Sequence, residues 1–142
     1  MDIEEFVNKY NGVKVDYDKQ FGPQCVDLFR QACPDLYGIK EHTGPCSTSG
    51  GAKDLFLDYD KMPIEKKYFT RIKTKLPKVG DTVIWDSSET NKYGHVAICL
   101  GLLGKDSIIV FEQDGFKQDG AKINIRSKKN LLGVLRKKTG GK

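Results

Sequence analysis

Residues 94–113 read Gly94-His95-Val96-Ala97-Ile98-Cys99-Leu100, then the segment Gly101–Asp106, then Ser107-Ile108-Ile109-Val110-Phe111-Glu112-Gln113. Two runs of strand length, rich in β-branched and aromatic residues, flank a short Gly- and Asp-containing connection, which is the signal of a β-hairpin. If Gly101–Asp106 is the hairpin loop, paired residue numbers sum to 207, so His95 opposes Glu112 and Ala97 opposes Val110. Directly opposed Cβ atoms lie about 5 Å apart, within reach of a carboxylate that orients an imidazole.

Outward from this hairpin the period-2 runs continue as Thr82–Trp85, Lys122–Ile125 and Leu131–Leu135. Upstream the period is helical. Residues 2–10 place Ile3, Phe6, Val7 and Tyr10 on one face, and Asn11-Gly12 ends that helix. Pro23 suits a first helical turn, and the helix it opens runs to Cys33 and stops at Pro34. Cys25, Leu28, Phe29 and Ala32 share one stripe of it at i, i+3, i+4 and i+7. A further helix carries Ala52, Leu55, Phe56 and Tyr59, and residues 61–78 are basic and mixed. Helices first and a strand meander second predict an α+β domain, its N-terminal helices packed on an antiparallel β-sheet.

The 142 residues, 38% hydrophobic and 10% aromatic, suit one folded domain with a real core. The longest apolar runs are too short to span a bilayer, so no membrane insertion is expected. Met1-Asp2-Ile3-Glu4-Glu5 lacks the basic and apolar regions of a signal peptide, which predicts synthesis in a cytoplasm and a non-secretory exit for any outside action. Seven basic residues and no acid lie between Arg126 and Lys142, leaving −2 for residues 1–125 out of the total +5. That segment is read as a solvated C-terminal end, and its lack of aromatic residues for stacking ranks nucleic acid low as a partner. Four cysteines without a C-x-x-C pair argue against a disulfide framework or a zinc ribbon. Cys33 and Cys99 read as buried free thiols. Cys46, in a Gly/Ser loop, has no assigned role, and His42, in a Gly/Pro loop, reads as an exposed residue.

A cysteine at the start of a helix sits where the partial positive charge favours the nucleophilic thiolate. Cys25 would attack a carbonyl, His95 would take and return the proton, and Glu112 would fix the imidazole tautomer. Gln24, with the Cys25 amide, would donate to the oxyanion. The acidic loop Asp16-x-Asp18-x-Gln20-x-Gly22-x-x-x-x-Asp27 has oxygen donors at positions 1, 3, 5, 7 and 12, the spacing of a calcium loop. It departs from an EF-hand in Phe21 at position 6 and Asp at position 12, so calcium binding and simple solvation both stay open on the residues alone.

Taken together, Gln24-Cys25-Val26-Asp27-Leu28, Gly94-His95-Val96-Ala97-Ile98 and Glu112-Gln113-Asp114-Gly115 resemble the three signatures of CHAP domains, the cysteine, histidine-dependent amidohydrolases/peptidases of papain-like class. Gly80-Asp81-Thr82-Val83-Ile84-Trp85 and Leu132-Gly133-Val134-Leu135-Arg136 resemble that family's strand before the histidine and its final strand. The resemblance covers about residues 10–136 and implies a papain-like fold, with residues 1–138 as the catalytic domain and 139–142 as a tail or linker. It implies a bacteriophage endolysin or tail-associated lysin that degrades bacterial peptidoglycan. The bond cut would be the N-acetylmuramoyl–L-alanine amide (an amidase) or one in the stem or cross-bridge (an endopeptidase). It implies action from the cytoplasm of an infected host on the cell wall, as a monomer. It also implies a structural calcium site on Asp16, Asp18, Gln20, Gly22 and Asp27. Where many members carry Asn two residues after the acid, this chain has Asp114, which leaves Glu112 and Asp114 as rival orienters of His95. Three other readings remain from the residues: acyl transfer to a different amide by the same trio, a non-catalytic calcium-binding module, and a zinc site on Cys25, His42, Cys46 and His95.

Overall fold

The computed structural model of the chain describes residues 1–17, 24–41, 51–114 and 116–139. Helix α1, Ile3–Tyr10, starts where the Asp2 carboxylate accepts from Glu5 N–H (2.8 Å) and the Glu5 carboxylate accepts from Asp2 N–H (3.0 Å). This reciprocal cap satisfies two orphan donors of the first turn. The buried face of α1 sets Phe6 edge-on against Phe111 of the sheet, ring centroids 6.0 Å apart.

Helix α2, Cys25–Asp35, buries Leu28, Phe29 and Ala32 of the stripe read from the sequence, with Val26 and Cys33 beside them, while Cys25 at its leading end is half-buried. The helix does not stop at Pro34, as the sequence suggested. Pro34 falls in the last turn, where its missing N–H removes a single bond, and the N–H groups of Leu36 and Tyr37 still reach the Ala32 carbonyl (2.8 and 3.0 Å). The third helical segment is broken into α3, Asp54–Leu57, and a 3-10 turn at Tyr59–Lys61.

The stretch 61–78 holds two elements that the sequence did not reveal: helix α4, Pro63–Tyr68, and strand β1, Phe69–Ile72. Four residues with one buried side chain at Phe69 leave too little periodicity to read. The other strands are β2 (Thr82–Trp85), β3 (His95–Leu103), β4 (Ser107–Glu112), β5 (Lys122–Ser127) and β6 (Leu131–Lys137). They form one antiparallel sheet in the order β1-β6-β2-β3-β4-β5.

One face of the sheet is covered by helices: Ile84, Val96 and Leu135 meet Phe29 and Leu55, while Ile98 and Phe111 meet Phe6, Leu28 and Ala32. The other face carries a second apolar layer of strand residues alone, including Val83, Trp85, Ala97, Cys99, Val110 and Val134. Up to residue 139, the basic C-terminal segment is not a solvated end. It supplies the last two residues of β5 and all of β6, and Arg136 binds the buried Asp81 carboxylate with two hydrogen bonds (3.0 and 2.8 Å).

The β3–β4 register also differs from expectation. Strand β3 runs on to Leu103, and a bulge lies between Cys99 and Gly101, so Ile98 pairs with Phe111 and Cys99 with Val110. The shift is two residues next to His95. An even shift keeps every side chain on its original face, so Glu112 remains on the His95 side and reaches it diagonally.

Gly94 sets the entry to β3 at φ +76°, and a Cβ there would lie 2.4 Å from the Trp85 carbonyl oxygen and 2.8 Å from Lys53 Cβ. Gly94→Ala is expected to destabilise the fold by about 2 kcal/mol or more, through left-handed strain plus the clash. A thermal melt would show this as a drop of several degrees, and an unchanged melting temperature would refute the tight entry.

Candidate active site

Three element ends meet at one place: the N-terminus of α2, the first residue of β3 and the last residue of β4. The start of α2 is held by its own cap, because the Asp27 carboxylate turns back to accept the Gln24 N–H (3.0 Å). Asp27 is 2% exposed and has Arg30 Nη1 at 4.0 Å. Cys25, the first helical residue, is half-buried and in hydrogen-bonding contact with His95.

His95 Nε2 lies 2.9 Å from Glu112 Oε1, which leaves the other ring nitrogen for the thiol. The ring stacks obliquely against Trp85, its direct cross-strand partner, at 5.7 Å between centroids. Trp85 is itself fixed by donating its indole N–H to the Ser127 carbonyl (2.9 Å).

Glu112 is 0% exposed. Beyond His95 it accepts from Asn124 Nδ2 at 2.8 Å and from Arg126 through both Nε and Nη2, the latter at 3.0 Å. Neither Asn124 nor Arg126 was singled out in the sequence. Lys122-Ile123-Asn124-Ile125-Arg126 alternates as an outward polar face would, yet it is the polar side that faces Glu112 while Ile123 and Ile125 are exposed. Pairing with β4, which periodicity does not report, decides which side is inside.

Gln113 is the third residue missed. Fully buried, it donates to the carbonyls of Val15 (2.7 Å) and Gln24 (2.8 Å) and accepts from Val15 N–H (2.8 Å). It thereby ties the end of β4 to the residue before Cys25. Asp114, the rival orienter, turns its carboxylate onto the following turn instead, accepting from the N–H groups of Phe116 (2.8 Å) and Lys117 (3.3 Å). Cys25, His95, Glu112, Gln24, Asp114 and Arg126 all line a cleft of about 1000 Å³.

Of the acidic loop, Asp16 and Asp27 are described, while Asp18, Gln20 and Gly22 lie outside the described residues, as do His42 and Cys46 of the zinc alternative. Among the described residues no group of three or more His, Cys, Asp or Glu is placed to hold a metal. Among the described residues, the buried Asp16 Oδ1 has no hydrogen-bond donor. Cys33 and Cys99 are buried and form no disulfide among the described residues, in keeping with their reading as buried thiols.

A family model for the CHAP domain matches residues 13–114, which hold the thiol, the imidazole and both acids. The chain belongs to the CHAP domain family. The fold of this CHAP domain is similar to that of the wild-type endolysin LysIME-EF1, at TM-score 0.72 and 23% identity over 96% of this chain and 64% of that one. It is similar also to Ly7917, at TM-score 0.54 and 19% identity over 80% of this chain and 53% of that one. A structure of Ly7917 with the hydrolysing product of MDP matches at TM-score 0.57 and 18% identity, over 93% of this chain and 60% of that one. The chain thus spans less than two thirds of the length of each of these proteins. No curated protein matches it. Among the described residues, no helix of this CHAP domain is long and apolar enough to cross a membrane.

The electrostatics of the site follow from its burial. Desolvation pushes the His95 pKa down, but the hydrogen bonds to Cys25 and Glu112 outweigh it and hold it raised, at about 9 against an ordinary 6.5. For Glu112 burial pushes upward, and the bonds from His95, Arg126 and Asn124 outweigh it, leaving its pKa lowered to about 2 from 4.5. A raised folded-state pKa gives stability that is present in full below 6.5 and lost as pH rises through about 9. A depressed one gives stability present above 4.5 and lost as pH falls towards 2. Melting temperature should therefore hold level between about pH 4.5 and 6.5 and fall on both sides. Glu112→Gln should shrink both slopes. A melting temperature that climbs between pH 6.5 and 9 would contradict the assigned contacts.

Proposed function

We propose that the chain is a cysteine-dependent peptidoglycan hydrolase, the amide-cutting part of an endolysin or tail-associated lysin. The observation that carries this reading is the unbroken line from the Cys25 thiol through His95 to the buried Glu112 along one wall of the cleft. Membership of the CHAP family supports the class of chemistry, and the endolysin-like fold supports the substrate.

In this mechanism the Cys25 sulfur attacks the amide carbonyl carbon as the thiolate, with its proton on His95. Glu112 holds the ring so that the thiol-facing nitrogen points into the cleft. Gln24 and the Cys25 backbone N–H, an orphan donor of the first helical turn, bind the developing oxyanion. The C–N bond then breaks as the His95 proton passes to the leaving nitrogen, giving a thioester and a free amine. Neutral His95 next takes a proton from water, whose oxygen attacks the thioester. The freed carboxylic acid departs and the thiolate–imidazolium pair is restored. Whether the cut falls at the N-acetylmuramoyl–L-alanine amide or within the stem or cross-bridge is read from the fragments that mass spectrometry finds after digestion of purified walls.

Cys25→Ala should lower wall clearing by on the order of 10⁴-fold or more while keeping the fold. Glu112→Gln should cost more than Asp114→Asn, because only Glu112 touches His95. Near-normal clearing by Cys25→Ala, or a reversed order of the two acids, would overturn the assignment.

We further infer that calcium binds beside α2. Carboxylate and carbonyl oxygens are hard ligands that suit calcium better than zinc. The buried Asp16 Oδ1, without a donor among the described residues, is the kind of atom that a cation would satisfy. Asp16 and Asp27 would hold the ion with Asp18, Gln20 and Gly22. Bound there, calcium would neutralise the crowded carboxylates behind the nucleophile. On metal-stripped protein, calcium at a hundredfold excess over Kd should add about 2.7 kcal/mol of stability. Asp16→Ala should abolish that response. A melting temperature indifferent to calcium and chelator alike would remove the site.

A further inference from the structure

The Glu112 carboxylate has no contact with solvent and is shared by two cations of different kinds, a histidine that gains and loses its proton and an arginine that does not. In the cycle proposed above, His95 becomes neutral each time it delivers its proton to the leaving nitrogen. With His95 as its only partner, Glu112 would at that moment be a buried anion without a counter-charge, a costly state. The ring would then hold its proton too tightly to serve as an acid.

We propose that Arg126 is a positioning residue, which keeps the Glu112 carboxylate charged and aligned on His95 through both protonation states of the ring. The fork of Arg126 engages both carboxylate oxygens, one of them shared with His95 and the other with Asn124. This fixes the carboxylate plane, which a single point contact would not do. The positive charge of Arg126 also opposes protonation of His95.

The other groups around the pair come from every element packed on it. His95 meets Cys25 from α2 and Trp85 from β2. Lys122 pairs opposite Glu112 along β5, but its ammonium lies 3.2 Å from Asp119. Asp86 accepts from Ser87 N–H (2.7 Å) and Asp114 from its own turn. Among the described residues, then, Arg126 is the permanent cation that touches Glu112.

This role rests on the hydrolase reading, but one of its tests does not. The chain has two histidines, His42 and His95, so imidazole resonances can be titrated by NMR in a Cys25→Ala background and assigned with His42→Gln. Arg126→Gln should raise the His95 midpoint by about one pH unit, because a positive charge has been removed beside it. In the active chain the same change should lower kcat by about tenfold or more and leave KM within about twofold. Arg126→Lys, which keeps the charge and loses the fork, should hold the His95 midpoint near its original value and still lower kcat. An unmoved or lowered midpoint in Arg126→Gln overturns the proposal, and so does a change confined to KM. If Arg126→Gln does not fold, Arg126→Lys decides alone, and an unaltered kcat in it overturns the proposal. A parent chain that never cuts walls would sink the hydrolase reading, while the titration would still report on Arg126.

Discussion

A carboxylate removed from water must find its charge and its hydrogen bonds inside the protein, and Glu112 does so across three strands. His95 reaches it from β3, while Asn124 and Arg126 reach it from β5. Taking away any one partner would leave an uncompensated buried group, so the geometry of these strands and the ionisation of the carboxylate support each other. Burial works against the charge of both groups, and their contacts overcome it: Cys25 and Glu112 together raise the proton affinity of His95, while His95, Arg126 and Asn124 together lower that of Glu112. Asp81 repeats the device at another corner of the sheet, where Arg136 grips it from β6.

The next residue along the chain does the complementary task. Successive strand residues point to opposite sides, so Gln113 faces away from His95 and towards the start of α2. There its amide saturates itself on Val15 and on the Gln24 carbonyl. One dipeptide, Glu112-Gln113, thus orients the imidazole on one side and anchors the approach to Cys25 on the other. The thiol and the imidazole lie 70 residues apart in sequence, and their contact is held by this short junction at the end of β4.

Much of this was legible in the chain. The α2 stripe, the strand-like runs from residue 82 onward and the shared side of His95 and Glu112 all follow from side-chain periodicity. The contact between the two even survives a register error, because a two-residue slip does not exchange the faces of a strand. The error arose because a hairpin loop read from turn composition took Gly101–Leu103 out of β3, and because the bulge after Cys99 leaves no mark in composition. Pro34 misled in the other direction, since a proline ends a helix only where the lost bond and the ring clash outweigh the burial around it. Helix α4 and strand β1 were missed because each is too short to show a period.

By itself, the sequence determined the periodic elements, the α+β class and the residue types able to do thiol chemistry, since these depend on neighbours within a few positions along the chain. The tertiary structure alone decided that Arg126 and Asn124 face inward while Ile123 and Ile125 face water, that Gln113 ties down the approach to α2, and that Asp114 serves its own turn. Each of those outcomes turns on which strand lies alongside which. Alternation along β5 is the same whichever side is buried, and only the buried charge of Glu112, brought alongside by pairing with β4, makes the polar side the inner one.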